Sequence, residues 1–427
     1  MERDIDYLFV YPSPTEDSPN KLVPLSILYP GNYYMEQGYK VEFHDCRFDS
    51  EKRLFELAKR AKIFAVSAMT GYQCGETVRL MERAKSENPE IKTLLGGYHA
   101  TLLANEVIKE PIIDDVYPGR LGEDLFPYNE KTKRLFEITD LQWSSSTGCW
   151  GECTFCCLEK RWKPKPLDIL EKELRTLHKD LKFKHITFID PNIGASPARI
   201  RRIGEILKDL DVKFHANIRN DVLTKEMVSA LVEANCESLE VGGESGDNYM
   251  LKHIIKKGHT KETTIRTAYN LRDTNITTMY SFMANIPYEK KVHRKRTFDL
   301  IDKIHRIDKN ARTSIYNYTP YPQTEMFDMA VKLGFKPPTT MVGWSKMGMA
   351  SNPIYWIAGL TFRKDNTKRN FPGIKRLKIF PFELLALVFW KLRIMGWFPS
   401  NTVSKLIKKA VEENNNDNNN THRGDKN

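Results

Sequence analysis

The chain has 427 residues, a length that corresponds to two or three domains. With 41% hydrophobic and 28% charged residues it is neither a disordered nor a fibrous protein. Seven cysteines are too few and too unevenly placed for a disulfide framework, and no leader-like segment follows Met1, so we expect a cytoplasmic protein. The net charge of +11 leaves open a nucleic acid, an acidic protein or an anionic membrane as partner, or simply a basic solvated surface.

Short apolar runs alternate with helical patterns over residues 1–130. Strands are predicted at 7–11, 40–43, 63–67 and 91–95, with helices up to residue 38 and over 75–87. Strand, helix and strand at this spacing predict βαβ units and an open parallel, Rossmann-like sheet. Ligands of such sheets bind at the carboxyl ends of the strands, where residues 67–72 and 96–99 fall.

The alternation continues over residues 140–325. Predicted strands and helices follow one another at 167–179 (helix), 185–189 (strand), 198–210 (helix), 213–216 (strand), 225–234 (helix), 238–241 (strand), 260–273 (helix), 278–283 (strand), 297–307 (helix) and 314–318 (strand). This repetition predicts a full or partial (β/α) barrel.

The remainder of the chain is predicted to be a mostly helical region over 326–410 and a disordered, Asn-rich tail over 411–427. An apolar stretch at 377–398 is interrupted by charged residues, so it is not expected to be a transmembrane helix. Two alternatives stay open for it: a helix packed on the protein, or a peripheral helix lying on a bilayer.

Four cysteines lie within residues 149–157, and Cys149, Cys153 and Cys156 have the spacing C-x3-C-x2-C. Short spacings let one loop wrap three thiolates around a small iron–sulfur cluster. Three thiolates leave one iron of a four-iron cluster open to an outside ligand. The alternative is structural zinc, which usually takes four ligands, and Cys157 is an awkward fourth because it adjoins Cys156.

This motif, with the aromatic Phe155 before the third cysteine, resembles the signature of radical SAM enzymes. The resemblance implies a 4Fe-4S cluster whose open iron is chelated by S-adenosylmethionine (SAM), which an electron cleaves to a 5′-deoxyadenosyl radical. Residues 188–192 (FIDPN) resemble the second-strand motif of the superfamily, so Asp190 or Asn192 would accept from the methionyl amino group.

Two further strand ends resemble SAM-binding positions of the superfamily. Arg219, in HANIRND, resembles the arginine that pairs with the methionyl carboxylate, a role suited to a bidentate guanidinium. Glu244, in GGESG, resembles the acidic residue that approaches the nucleoside or the amino group. Phe155, Asp190, Asn192, Arg219 and Glu244 are therefore the expected SAM-binding residues.

Residues 1–130 resemble the cobalamin-binding domain that precedes the radical domain in one branch of the superfamily. The matching segments include 67–73 (SAMTGYQ) and 96–99 (GGYH), where two glycines permit close approach of a nucleotide tail. No D-x-H-x-x-G motif occurs, as is usual in this branch. Some members keep the sheet without cobalamin. The resemblance places cobalamin against Thr70, Gly71, Tyr72, Gly96, Gly97, Tyr98 and His99.

Both resemblances together imply a cobalamin-dependent, class B-like radical SAM methyltransferase acting on an unactivated carbon. Such a carbon has no lone pair to attack a sulfonium, so a radical route is required. A ferredoxin or flavodoxin is the expected electron donor, and the chemistry is expected to be anaerobic.

The substrate has alternatives. A resemblance to archaeal members suggests a protein side chain, such as a glutamine of methyl-coenzyme M reductase, and the basic run 290–296 would steer an acidic partner or be a solvated helix face. The rival is lipid or isoprenoid modification, by methylation or carbon–carbon coupling. A non-enzymatic iron–sulfur or RNA-binding regulator is a further alternative, although no nucleic-acid partner is expected.

Overall fold

The computed structural model describes residues 3–14 and 21–347. The predictions for the apolar stretch 377–398, for the tail 411–427 and for most of the helical region 326–410 lie outside these residues. Within the described part of the chain, no helix combines the length and the apolar character needed to cross a membrane.

The amino-terminal part is a five-stranded parallel sheet with the order β2-β1-β3-β4-β5. Its elements are β1 (Ile5–Tyr11), α1 (Leu25–Glu36), β2 (Val41–Asp45), α2 (Glu51–Arg60), β3 (Ala61–Ser67), α3 (Tyr72–Glu87), β4 (Lys92–Gly96), α4 (Gly97–Val107) and β5 (Asp115–Val116). The strand order reverses between β1 and β3. In such sheets the crevice for a ligand lies at the carboxyl ends of the strands next to this reversal.

The central strands β1 and β3 are buried on both faces, which is why their sequences are nearly continuous apolar runs. Leu8 and Val10 pack in one core with residues of α2 and α3, while Phe9 points to the opposite face and packs with α1. The helix α5 (Lys133–Glu137) then leads to the second sheet.

The second sheet has six parallel strands in the order β13-β12-β11-β10-β9-β6. Its elements, with a short antiparallel pair β7·β8, are β6 (Gln142–Trp143), β7 (Ser146–Thr147), β8 (Lys163–Pro164), α6 (Leu167–Leu181), β9 (His185–Phe188), α7 (Pro197–Asp209), β10 (Lys213–Ile218), α8 (Lys225–Glu233), β11 (Cys236–Glu244), α9 (Lys261–Leu271), β12 (Thr277–Ala284), α10 (Lys291–Ile307) and β13 (Ala311–Asn317). Among the described residues β6 and β13 do not pair with each other, so the barrel is partial.

Two helices follow the barrel, α11 (Glu325–Lys332) and α12 (Met341–Ser345). The helix α12 returns to the first sheet, where Met341 and Trp344 join the core formed by α2 and α3. A second, larger core is continuous between the two sheets, because Phe9 and Leu28 belong to the same cluster as Trp143 and Phe188. The two sheets are therefore packed directly against each other.

The predicted α/β fold, an open parallel sheet followed by a barrel, is confirmed. Several element predictions differ from the structure, and the helix α4 and the short strands β5 to β8 were not predicted. The helix predicted at 297–307 begins at Lys291, so the basic run forms its first turns. The helix α2 was not predicted, although its Leu54, Phe55 and Ala58 have the spacing of one buried helix face.

Candidate active site between the two sheets

The three cysteines of the motif lie on one loop that follows β7. The loop is closed at its base, where the Cys149 N–H donates to the Glu159 carbonyl at 2.9 Å. The Lys160 ammonium donates to the carbonyls of Cys153 at 3.2 Å and Cys156 at 3.3 Å. These bonds hold the backbone between the cysteines in a tight turn.

The sulfur atoms lie in a partly desolvated setting. Cys153 is buried, and Cys149 and Cys156 are half-buried. Burial raises the pKa of the Cys153 and Cys156 thiols, and nearby cations, Lys257 for Cys153 and Lys160 for Cys156, oppose this effect. Within the described residues, no three His, Cys, Asp or Glu side chains converge as ligands of a single metal ion do. A cubane does not need such convergence, since each thiolate binds a different iron.

Arg219 lies against this loop from the carboxyl end of β10. Its guanidinium forms a bidentate pair with Asp221, at 3.0 Å from Nε and 2.8 Å from Nη2, and Nη2 also donates to the Lys257 carbonyl at 2.9 Å. Nη1 points at Gly151, where a Cβ atom would overlap it, and the Gly151 N–H is 3.4 Å from the Cys149 sulfur. Arg219 is thus held in place with one nitrogen directed at the cluster loop.

Asp190 and Asn192 follow β9, but they have different surroundings. Asp190 is fully buried and accepts from the Ser145 N–H at 2.9 Å, from the Ser145 hydroxyl at 2.7 Å and from the Ser146 hydroxyl. Burial raises the pKa of Asp190, and the hydrogen bonds oppose this effect. Asn192 accepts from the Arg219 N–H at 3.0 Å, and its buried Nδ2 has no partner among the described residues. Asn192 therefore offers a free donor, whereas the Asp190 oxygens are already occupied.

Glu244 ends β11 at an irregularity in the strand register and has a positive φ of 58°. Its carboxylate accepts from the Lys257 ammonium at 2.7 Å, and both residues are buried. Burial by itself would lower the pKa of Lys257, but the Glu244 carboxylate and the Cys153 sulfur raise it above its ordinary value, so the side chain stays cationic. The ammonium also lies 5.8 Å from the centre of the Phe155 ring. Lys257 is thus part of the site.

Sequence reasoning missed Lys257. It lies in the loop after the helical turn Met250–Ile254, within the polar segment KKGH, and nothing in that segment distinguishes it from its neighbour Lys256. The two lysines differ in the fold: Lys256 is exposed and pairs with Glu325, whereas Lys257 turns inward to Glu244.

A cavity of about 540 Å³ lies between the carboxyl ends of the two sheets. From the first sheet and its helices it is lined by Gly96, Gly97, Tyr98 and the apolar side chains of α1. From the second it is lined by Thr147 and Gly148, which immediately precede Cys149. The cavity therefore joins the glycine pair of the first domain to the beginning of the cluster loop.

The residues expected to bind cobalamin divide into two groups. Gly96, Gly97 and Tyr98 line the cavity, but Thr70, Gly71, Tyr72 and His99 are not among its lining residues. The Thr70 hydroxyl is 2.9 Å from Nδ1 of the buried His99, whose ring contacts Trp344 edge-on at 5.8 Å. Gly71 lies next to the Met347 carbonyl. In this second group His99 and Gly71 are thus covered by α12 and the residues after it, whereas Tyr72 is exposed.

The residues present fit the implied cofactors. Three thiols on one closed loop, with Arg219 and the free Asn192 donor beside them, suit a cluster with an open position for a ligand that carries a carboxylate. The cavity wall, with glycines at a strand end, suits a flat macrocycle with a nucleotide tail. SAM would be held by Asn192, Arg219, Glu244 and Lys257, and the corrin by the cavity wall.

Family models match two separate parts of the chain. The model of the radical SAM superfamily matches residues 143–301, and the model of the B12 binding domain matches residues 15–126. Residues 143–301 are thus similar to the radical SAM superfamily, and residues 15–126 are similar to B12 binding domains. These two matches support the predicted radical SAM chemistry and the predicted cofactors: a 4Fe-4S cluster, SAM and cobalamin.

Two curated relatives are similar to part of the chain. The bacteriochlorophyllide d C-12(1)-methyltransferase of Chlorobaculum tepidum is 23% identical over 287 residues, which cover 58% of this chain and 62% of the relative. The anaerobic magnesium-protoporphyrin IX monomethyl ester cyclase of Rubrivivax gelatinosus is 24% identical over 315 residues, covering 58% of this chain and 55% of the relative. The chain therefore spans less than two thirds of the length of either relative.

Solved structures share the two-domain fold. The radical SAM methyltransferase TsrM from Kitasatospora setae, with cobalamin and a [4Fe-4S] cluster bound, has a TM-score of 0.62 at 14% identity and covers 97% of this chain and 100% of that one. The radical enzyme OxsB, with aqua-cobalamin and SAM bound, has a TM-score of 0.67 at 16% identity and covers 91% of this chain and 71% of that one.

Proposed function

We propose that the chain is a cobalamin-dependent radical SAM C-methyltransferase that acts on an unactivated carbon. The observation that carries this proposal is the shared cavity, because Gly96 and Gly97 of the B12-binding domain and Gly148 of the cluster loop line one space. When bound, the cluster with SAM supplies hydrogen-atom abstraction, and cobalamin supplies a transferable methyl group. A substrate carbon must meet both groups in one place, and we propose this cavity as that place.

The residues of this chain would position SAM through its methionyl group. Arg219 directs Nη1 at the cluster loop, and the Asn192 Nδ2 is an unpartnered donor, so both would donate to the carboxylate. Lys257 and Glu244 place one cation and one anion beside Cys153, where a zwitterionic ligand would pair with both. We propose that Asp190, with its oxygens occupied, is a positioning residue that fixes Ser145 and Ser146 ahead of the loop.

The cavity wall would exclude water from the reacting groups. Phe9, Leu25, Tyr29 and Leu94 line the side of the cavity formed by the first sheet and α1. Removing water protects a reactive radical from side reactions, and it strengthens every polar contact in the site.

For the substrate, we propose a protein side chain such as a glutamine of methyl-coenzyme M reductase. The net charge of +11 supports this proposal, because a basic protein surface would attract an acidic protein. Lipid or isoprenoid modification is the second candidate, and the apolar cavity wall favours it. The two curated relatives are named for tetrapyrrole substrates.

The test is methyl transfer from labelled SAM by the anaerobically reconstituted full chain. Dithionite and SAM with a trideuterated methyl group would be supplied together with either a glutamine-containing peptide of the reductase or a lipid extract. Mass spectrometry should find the deuterated methyl group on carbon in one of the two fractions, and the Cys156→Ala variant should give none. A wild-type enzyme that contains cobalamin and forms 5′-deoxyadenosine, but labels neither fraction, would contradict the proposed substrates. Labelled product formed without cobalamin would contradict the proposed mechanism.

A further inference from the structure

A basic patch lies beside the segment that backs the cluster loop. It consists of five exposed residues: Tyr249, Lys252, Lys290, Lys291 and Lys295. We propose that the basic patch is the docking surface of a small, acidic electron-carrier protein that reduces the cluster. The inference rests on the proposed function, because only a redox cluster on the three cysteines requires such a partner.

The two elements that carry the patch are held together. The Tyr249 ring stacks on the His293 ring of α10 with centroids 6.1 Å apart. Asp247, just before the Tyr249 segment, pairs with Arg296 of α10 at 2.5 Å. Lys291 and Lys295 lie one turn apart on α10 and therefore on the same side of the helix. The patch is thus one surface formed by two fixed elements.

The charge of this surface is positive. Three neighbouring carboxylates already have cationic partners: Asp247 with Arg296, Glu289 with Arg294 at 3.4 Å, and Glu325 with Lys256 at 2.6 Å. By contrast, Lys252, Lys291 and Lys295 form no ion pair among the described residues. Uncompensated lysines around an exposed aromatic ring suit a partner with an acidic rim, for which complementary charge governs association.

The patch is connected to the cluster loop by a short path. Lys252 lies two residues before Ile254, and the carbonyls of Ile254 and Ile255 accept from the Thr154 hydroxyl at 2.6 Å and the Thr154 N–H at 3.0 Å. Thr154 directly follows Cys153. A carrier docked on the patch would therefore meet the peptide segment that is hydrogen-bonded to the cluster loop. In the transfer, the reduced carrier loses one electron and this chain gains it at its cysteine-bound cluster.

The location argues for a carrier rather than a substrate. None of the five patch residues is among those that line the cavity between the sheets. A protein substrate has to place its reacting carbon in that cavity, whereas an electron carrier needs only to approach the cluster. The basic patch thus leaves the cavity free while a carrier is bound.

The experiment compares two charge-reversed triple variants with oxidised and reduced flavodoxin as the probe. In the patch variant Lys252, Lys291 and Lys295 become Glu. The matched control removes the same charge from exposed lysines of the first domain that have no ion pair among the described residues: Lys52, Lys92 and Lys109. The Kd of oxidised flavodoxin for the full chain is measured before reconstitution, at several salt concentrations. The formation of 5′-deoxyadenosine is then measured after reconstitution, with either reduced flavodoxin or dithionite.

We expect the patch variant to bind flavodoxin about tenfold or more weakly at low salt, with a flatter salt dependence, and the control to bind nearly as the wild type does. Flavodoxin-driven formation of 5′-deoxyadenosine should fall with binding, while dithionite-driven formation should not change. A triple Lys→Gln variant keeps the test decisive if charge reversal disturbs folding. Equal binding by the two variants, or no binding by the wild type, would overturn the inference. If the wild type formed no 5′-deoxyadenosine with dithionite, that result would instead overturn the proposed function.

Discussion

The contact between Gly151 and Arg219 gives a sharp test of the SAM site. Gly151→Ala would place a Cβ atom on Nη1 of Arg219, and the guanidinium could move only by giving up its bonds to Asp221 or to the Lys257 carbonyl. The displaced guanidinium would then lose a hydrogen bond to the methionyl carboxylate of SAM. A hydrogen bond to a charged group contributes about 1.5–3 kcal/mol. At about 1.4 kcal/mol per factor of ten, the Kd for SAM should rise roughly 10- to 150-fold.

The assay is equilibrium binding of SAM to the reconstituted variant, with iron and sulfide content measured in the same samples. Gly96→Ala is the matched control, because a Cβ atom there meets its nearest neighbours at 3.9 and 4.0 Å, an ordinary contact. The control should retain the cluster and SAM affinity. If Gly151→Ala keeps a full cluster and binds SAM within about twofold of the wild type, the Arg219 guanidinium does not contribute to SAM binding.

Three further substitutions test other parts of the structure. Lys257→Met leaves the buried Glu244 carboxylate unpaired and should lower the free energy of unfolding by about 3–5 kcal/mol in urea denaturation. The control Lys256→Met removes an exposed pair and should lower it by less than about 1 kcal/mol. Equal losses for the two variants would contradict a stabilising buried pair. Gly97→Ala would bring a Cβ atom within 2.7 Å of the Ala68 carbonyl oxygen. This variant should show a lower corrin absorbance per chain at an unchanged iron content. The control Gly38→Ala has a similar φ but open space around the Cβ atom, and it should keep the corrin absorbance of the wild type. Burial lowers the pKa of His44 to about 4 from an ordinary 6.5, so the unfolded chain takes up the proton first and stability is lost as pH falls between these values, by about 1.4 kcal/mol per pH unit. His44→Leu should remove about 2 kcal/mol of that loss between pH 6.5 and 4.5 in urea titrations, and an unchanged loss would show that His44 is not the cause.

The longer strands could be predicted from the sequence because each has at least four residues in which apolar or β-branched side chains recur. The strand β9, for example, was placed at 185–189 and spans His185–Phe188. The short strands β6 and β7 could not be found this way, because a strand of two residues has no periodicity. Their existence depends on pairing with β9 and β8, which are distant in the chain.

The same distinction applies to the candidate site, where residues in local motifs could be predicted but contacts between distant segments could not. The cysteine loop and Arg219 were found because each lies in a recognisable local motif. The partners of Asp190, by contrast, are serines 44 and 45 residues earlier in the chain, and the cover over Gly71 is the carbonyl of Met347. Spacing within a motif says nothing about such contacts, which arise only when the two sheets and the returning helix α12 pack together.

The most direct test of the account is the formation of 5′-deoxyadenosine by the reconstituted full chain with SAM and dithionite under anaerobic conditions. We expect the wild type to form it and Cys149→Ala, Cys153→Ala and Cys156→Ala each to form none. A wild-type protein with four irons per chain and bound cobalamin that releases no 5′-deoxyadenosine would contradict the account, as would a cysteine variant with undiminished activity.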